Sequence, residues 1–295
     1  QHNESTKVFL LILAAGLARR YGRAKQLEPV GPTGQILLDY AVHDARLAGF
    51  DRIVLVVRPD MEDLLRAHLT DIHGSTRGFA FRHQFFMGEE RLLGTGHAVL
   101  AAATALSGPF GVCNADDYYG PEGFEAAASH LRTSPDGAVV GFPSGLVLSG
   151  SGAVSRALLD VADGRLARIR ELHDVSAMGD GVIGRDAAGD LHRFSPGDPV
   201  SMNLWAFHPD ILPMLAEGFE RFLLRNGPES GREFLLSDAV GELIASGRYS
   251  VRVLHAGRQW MGLTFPGDRD EVVRRIEEHT ASGRYPRRFH PGKDE

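Results

Sequence analysis

The sequence is poor in cysteine, in lysine and in long apolar runs, and each shortage excludes something. A single cysteine, Cys113, excludes an intrachain disulfide and a cysteine-based zinc site, and suits a reducing, cytoplasmic setting. Its place in an apolar run reads as packing rather than as a nucleophile. The longest apolar run, Val8 to Ala15, falls far short of the roughly 20 residues of a membrane helix, and is short for a signal-peptide core. A soluble chain with no membrane partner is therefore expected. Of the 32 basic residues only Lys7, Lys25 and Lys293 are lysine, so Lys25 is the one lysine away from the termini. Arginine fills the generic cation positions, and a lysine persisting in that background marks a point where a compact ammonium matters. The 38 acidic residues bring the net charge to −6, which argues against a nucleic-acid partner but leaves room for a local phosphate pocket. The 13 histidines show no H-E-x-x-H or other ligand spacing, and the serines of 144–152 no Gly-x-Ser-x-Gly elbow.

What is present is an ordinary globular composition, 43% hydrophobic and 24% charged, in a chain of 295 residues that can bury a sizeable core. Continuous apolar runs at 8–13, 53–57, 110–114 and 137–142, with an alternating one at 79–84, predict strands. Helical patterns at 35–48, 61–69, 96–106 and 121–131 separate them, with Met61, Leu64, Leu65 and Leu69 facing inward in the second. Such a βαβ series predicts an α/β fold, a Rossmann-like, doubly wound, mostly parallel sheet. Beyond residue 143 the rhythm changes. A Ser/Gly-rich loop at 144–152 precedes a hairpin at 158–170 that turns at Asp163-Gly164. A strand at 200–207, helices near 209–225 and 233–246, a strand at 251–254 and a closing helix at 268–282 follow. No repeat or linker forces a boundary, so one domain is expected over 1–295. Its nucleotide-binding half covers about 7–142 and its irregular substrate half about 143–285.

The turn after the first strand carries the strongest chemistry. Small residues (Ala14, Ala15, Gly16) let the backbone approach a ligand, and its N–H groups can hold phosphate oxygens beside Arg20 and Lys25. An exposed basic loop is the alternative. Gly16 and Gly22 do not have G-x-G-x-x-G spacing and no Walker lysine follows, so neither a dinucleotide site nor a P-loop is supported. Asn114-Ala115-Asp116-Asp117 follows a buried strand and so sits at a strand's carboxyl end, where open α/β sheets bind ligands.

The run from Leu13 to Val30 resembles the signature of the sugar-phosphate nucleotidyltransferases (nucleoside-diphosphate-sugar pyrophosphorylases), L-A-A/G-G-x-G-T/S-R followed by P/S-K-x-L-x-P. The resemblance implies that Ala15 and Gly16 cradle the nucleotide, that Arg20 grips its triphosphate and that Lys25 neutralises phosphate charge. Two positions depart from the pattern: Ala18 replaces a glycine and Arg19 a Thr or Ser. Leu93-Gly94-Thr95-Gly96-His97-Ala98 is similar to the family's L-G-T-A-x-A segment, which implies nucleotide-binding roles for Gly94, Thr95 and an upstream Gln84. Asn114-Ala115-Asp116 resembles the N-x-D metal segment and makes Asp116 a catalytic Mg²⁺ ligand, with Asp117 second. Looser matches offer Gly141, Glu171 and Asn203 as sugar-binding residues. The lysine expected beside Glu171 is missing, which leaves Arg168, Arg170 or Arg258 for the sugar phosphate. Gly262 stands where many members carry a second metal aspartate; Asp268 is the nearest substitute, with helix capping as its alternative role. The function implied is Mg²⁺-dependent transfer from an NTP to a sugar 1-phosphate, or to a similar cyclitol phosphate. A non-catalytic nucleotide-sugar-binding regulatory protein is the alternative, and a homo-oligomer stays open.

Overall fold

The computed structural model describes residues 6–15, 27–149, 152–263 and 267–290. The first apolar run forms β1 (Phe9–Leu13), every residue of it buried. It lies between β2 (Arg52–Val56) and β4 (Phe110–Asn114), with β3 (Phe79–Arg82) beyond β2, all parallel. Residues of alternate parity along β1 enter different layers, as the period of two requires. Leu10 and Ile12 pack under α1 (Leu37–Ala48), α2 (Glu62–His73) and α4 (Pro121–Thr133). Leu11 and Leu13 pack under α3 (Thr95–Ala101), α5 (Ile211–Asn226) and α6 (Leu236–Ala245). Helices thus cover both faces. Leu64, expected inward on α2, is half exposed, and the buried stripe is Leu65, Leu69 and Ile72.

The sheet as a whole is mixed, which corrects the mostly parallel expectation. β5 (Gly137–Pro143) pairs in parallel with β11 (Val251–Leu254). Between β4 and β5, however, lies β10 (Pro199–Phe207), antiparallel to both. The hairpin of β6 (Val154–Ala162) and β7 (Arg165–Met178) turns at Asp163 and Gly164, both at positive φ (51° and 73°), as a two-residue hairpin turn of the primed type needs. β7 then folds back on β8 (Gly181–Arg185), and β8 on β9 (Leu191–Phe194). Such short connections can join only antiparallel neighbours. β6 leans on both β7 and β10, so the irregular half is stitched into the sheet next to the carboxyl end of β4.

The closing helix α7 (Asp268–Ala281) packs on a third cluster built from Leu37, Tyr40, Tyr118, Val272, Ile276 and Tyr285. A two-residue ribbon, Asp117–Tyr118 against Met261–Gly262, joins that cluster to the end of β4. Among the described residues no helix is long and apolar enough to cross a membrane.

Candidate active site

The carboxyl ends of β1 to β4 open onto two adjoining cavities. The first, of about 670 Å³, is walled by Leu13 and Ala15 after β1, Arg58 after β2, Gln84 after β3, and Gly94 and Thr95 at the start of α3. Gly94 has φ 103°, a conformation that L side chains rarely adopt, and a Cβ there would lie 2.6 Å from the Phe234 carbonyl oxygen. That close approach is held by two backbone bonds, Phe234 N–H to the Leu93 carbonyl (2.7 Å) and Gly96 N–H to the Phe234 carbonyl (2.9 Å). Gln84 is buried, and its amide nitrogen lies 3.3 Å from the Gly94 carbonyl and 3.2 Å from His97 Nδ1. Burial holds the pKa of His97 below the ordinary histidine value despite its bond to the Phe85 carbonyl, so Nδ1 is free to accept. With both amide N–H groups turned inward, the Gln84 carbonyl oxygen is the atom left to meet a ligand. Thr95 Oγ1 accepts the N–H of Leu236 (2.9 Å) and so ties α3 to the start of α6. Glu90, on the Phe85–Phe86/Glu89–Glu90 ribbon, completes this wall with Arg58 3.6 Å away.

The second cavity, of about 330 Å³, meets the first at Thr95 and brings together Asp116, Glu171 and Asn203. A hydrogen-bond relay fixes its floor. Trp205 Nε1 donates to Asn203 Oδ1 (2.8 Å), Asn203 Nδ2 to Asn114 Oδ1 (2.7 Å), and Asn114 Nδ2 to Asp117 Oδ2 (2.9 Å). Asn203 stands at φ 64° in a register shift of β10, the left-handed conformation that asparagine tolerates better than most residues. Its amide is engaged on both atoms, so its first task is to aim Asn114. Burial pushes the Asp117 carboxyl up to about 7, with the Asp116 charge adding to the rise and Asn114, Tyr119 and Arg156 opposing it. Glu171 is exposed at the rim; partial desolvation in the concave wall raises its carboxyl pKa, with His173 opposing, Asp238 adding and Arg156 opposing.

Several expected residues take other places. Arg20, Lys25 and Gly16 lie outside the described residues. Gly141 is buried in β5, where a Cβ would press on Pro199 at 3.0 Å and Val253 at 3.2 Å, and it lines neither cavity. Asp268 does not share the Asp116 cavity. It is the first helical residue of α7, after an N-cap at Gly267, and it lines a smaller cavity of about 130 Å³ with Arg156, Trp260 and Arg275. None of Arg168, Arg170 and Arg258 lines the second cavity, and Arg170 is ion-paired with Asp160 at 2.6 Å. The cation that does line it is Arg156, which the sequence reading missed, together with Trp260 and Ser201. At Gly262 a Cβ would lie 2.6 Å from the Trp260 ring and 3.1 Å from Asp117 Oδ1. The indole and a neighbouring carboxylate therefore fill the place where the resemblance implies a second aspartate.

Comparison with known proteins agrees with this architecture. The MobA-like NTP transferase domain matches residues 10–218, and the chain belongs to that family. The bifunctional protein GlmU of Rhizobium johnstonii is 34% identical over 172 residues, covering 56% of this chain; the match spans only 34% of that relative's length. Two solved structures share the fold over nearly the whole chain. The inositol-1-phosphate CTP transferase from T. maritima superposes with TM-score 0.62 at 14% identity, over 93% of this chain and 98% of the other. A UDP-glucose pyrophosphorylase complexed with UDP-glucose gives 0.58 at 18% identity, over 95% and 99%.

Proposed function

We propose that the protein transfers a nucleotidyl group from an NTP to a sugar 1-phosphate or a cyclitol phosphate, giving an NDP-linked product and pyrophosphate. The observation that carries this reading is the pair of cavities meeting at Thr95 along the carboxyl ends of parallel strands, one suited to a base and the other acidic and rich in hydroxyl partners. Membership of an NTP transferase family and fold neighbours named for phosphorylated inositol and for UDP-glucose support it.

The acceptor phosphate oxygen attacks the α-phosphorus and pyrophosphate leaves in line, with no covalent enzyme intermediate. Alignment of two bound polyanions supplies the larger part of the acceleration, up to about 7–11 kcal/mol. Arg20 and Lys25, which follow β1 in sequence, supply charge neutralisation in this reading. Gln84 offers its carbonyl oxygen to a donor on the base edge. The residues present fit Mg²⁺: Asp116 and Asp117 are adjacent oxygen donors, and Asp117 feels the Asp116 charge. Among the described residues no group of three or more acidic, histidine or cysteine side chains forms a metal cage, as suits an ion that shares its shell with water and phosphates. When bound there, Mg²⁺ supplies Lewis-acid stabilisation of phosphoryl charge.

The test is pyrophosphate release from a panel of NTPs and sugar or cyclitol 1-phosphates with Mg²⁺. Release with one base and one acceptor class is expected. Tight binding of a nucleotide sugar with no pyrophosphate from any pair would instead establish a regulatory binding protein.

A further inference from the structure

The second cavity contains three carboxylates, Asp116, Asp117 and Glu171, and among its described lining residues a single cation, Arg156. That guanidinium is built in. Nε and Nη2 donate to the Val147 carbonyl (3.0 and 2.6 Å), and Nη1 donates to the Ser155 carbonyl (2.9 Å). Its carbon lies 5.1 Å from the Trp260 ring centre, in cation–π contact. Three of the five N–H groups are thereby used, which leaves one on each terminal nitrogen for an anionic ligand. The anchoring bonds also fix the side chain before any ligand arrives, which lowers the ordering cost of binding. Burial disfavours the Arg156 charge while Asp117 and Glu171 favour it, and an arginine stays protonated throughout.

We propose that Arg156 receives the acceptor's phosphate, and that the acceptor is a small, otherwise neutral polyol carrying one phosphomonoester. This rests on the transferase reading and deepens it. The remaining polar wall, Ser201, Asn203, Ser237 and Glu171, offers partners to hydroxyl groups, while a second anionic group on the acceptor would face carboxylates. The volume, about 330 Å³, is at the small end of the roughly 300–1,000 Å³ typical of ligand pockets and suits one ring.

The experiment uses the full chain, R156Q and R156K. The acceptor probes are glucose 1-phosphate, inositol 1-phosphate and glucuronic acid 1-phosphate. Steady-state pyrophosphate release is read with acceptor and NTP varied in turn, and acceptor binding without NTP is read from tryptophan fluorescence, since Trp260 lies against the guanidinium. R156Q should raise the acceptor KM by about tenfold or more, the loss of a charged hydrogen-bond pair, while the NTP KM stays within about twofold. R156K should fall between, and glucuronic acid 1-phosphate should be the poorest acceptor in the wild type. A folded R156Q with an unchanged acceptor KM, or equal use of glucuronic acid 1-phosphate and glucose 1-phosphate, overturns the proposal. If R156Q does not fold, R156K decides: an unchanged ratio of acceptor KM to NTP KM overturns it. If the wild type releases no pyrophosphate with any pair, the transferase reading fails and the fluorescence titration judges Arg156 alone. Phosphomonoester binding lost in R156Q then upholds its role, and equal binding or none refutes it.

Discussion

Asp44 gives the sharpest physical test of how the closing helix is held against the site. It is buried on α1, where Oδ2 accepts the Tyr285 hydroxyl (2.8 Å) and Oδ1 has no partner among the described residues. Burial pushes its carboxyl up to about 7. The Tyr285 bond and Arg284 oppose the rise, and Glu122 and Glu125 add to it. An unfolded aspartate titrates near 3.9, so the separation is about three units, a ceiling of about 4 kcal/mol. The raised folded value fixes the sign. The stabilisation is whole below about pH 4, fades as the pH climbs, and is gone above about 7, when the buried group is ionised. Between pH 5 and pH 8 the wild type should lose about 2–3 kcal/mol through this group alone. Asp44→Asn cannot ionise, so its stability relative to the wild type should rise by that amount over the same interval. Urea unfolding of both proteins at pH 5, 6, 7 and 8 measures the difference directly. Parallel pH profiles would show that Asp44 is not held in an ion-hostile site, and the reasoning would fail. The consequence reaches the second cavity, because Tyr285 also bonds Tyr118 (2.9 Å), the neighbour of Asp117.

Gly94→Ala should cost about 2–4 kcal/mol, since it combines a disallowed φ with a clash on the Phe234 backbone, and should weaken NTP binding; a melting curve unchanged from the wild type would contradict the close approach. If Gln84 reads the base as proposed, Gln84→Ala should flatten preference among NTPs, and an unaltered preference profile would place recognition elsewhere. Asp116→Asn should abolish Mg²⁺-dependent turnover, whereas Asp268→Ala, which removes an acid from the first turn of α7, should lower stability by about 0.3–1 kcal/mol and leave the Mg²⁺ requirement unmoved. A raised Mg²⁺ requirement in Asp268→Ala with unchanged melting would bring that carboxylate into the metal site.

The parallel βα half was legible because strands buried on both faces leave continuous apolar runs, and those at 8–13, 53–57, 110–114 and 137–142 became β1, β2, β4 and β5 within a residue or so. The direction of β10 was not legible, because an apolar run reads alike in either sense and only its partners decide. Nor was the β8–β9 ribbon: β8 offers only Val182 and Ile183 between glycines, and β9 only Leu191 and Phe194 around His192 and Arg193, runs too short to signal strands. The cavity walls divide in the same way. That Gln84 and Asp116 would line them was legible because both follow strands whose carboxyl ends open onto the cavities, a rule of position that needs no partner. Arg156 obeys no such rule. It is one arginine in a chain that uses arginine nearly everywhere, and it lies on β6, opposite Leu172 rather than beside Glu171 in sequence. Residue type singled out Lys25 because lysine is scarce here; the same abundance that made Lys25 conspicuous hid Arg156. What distinguishes that side chain is the Val147 carbonyl that anchors it, the Trp260 ring against it and the acids around it, and each of those arrives through the hairpin and ribbon that tertiary pairing alone brings to β4.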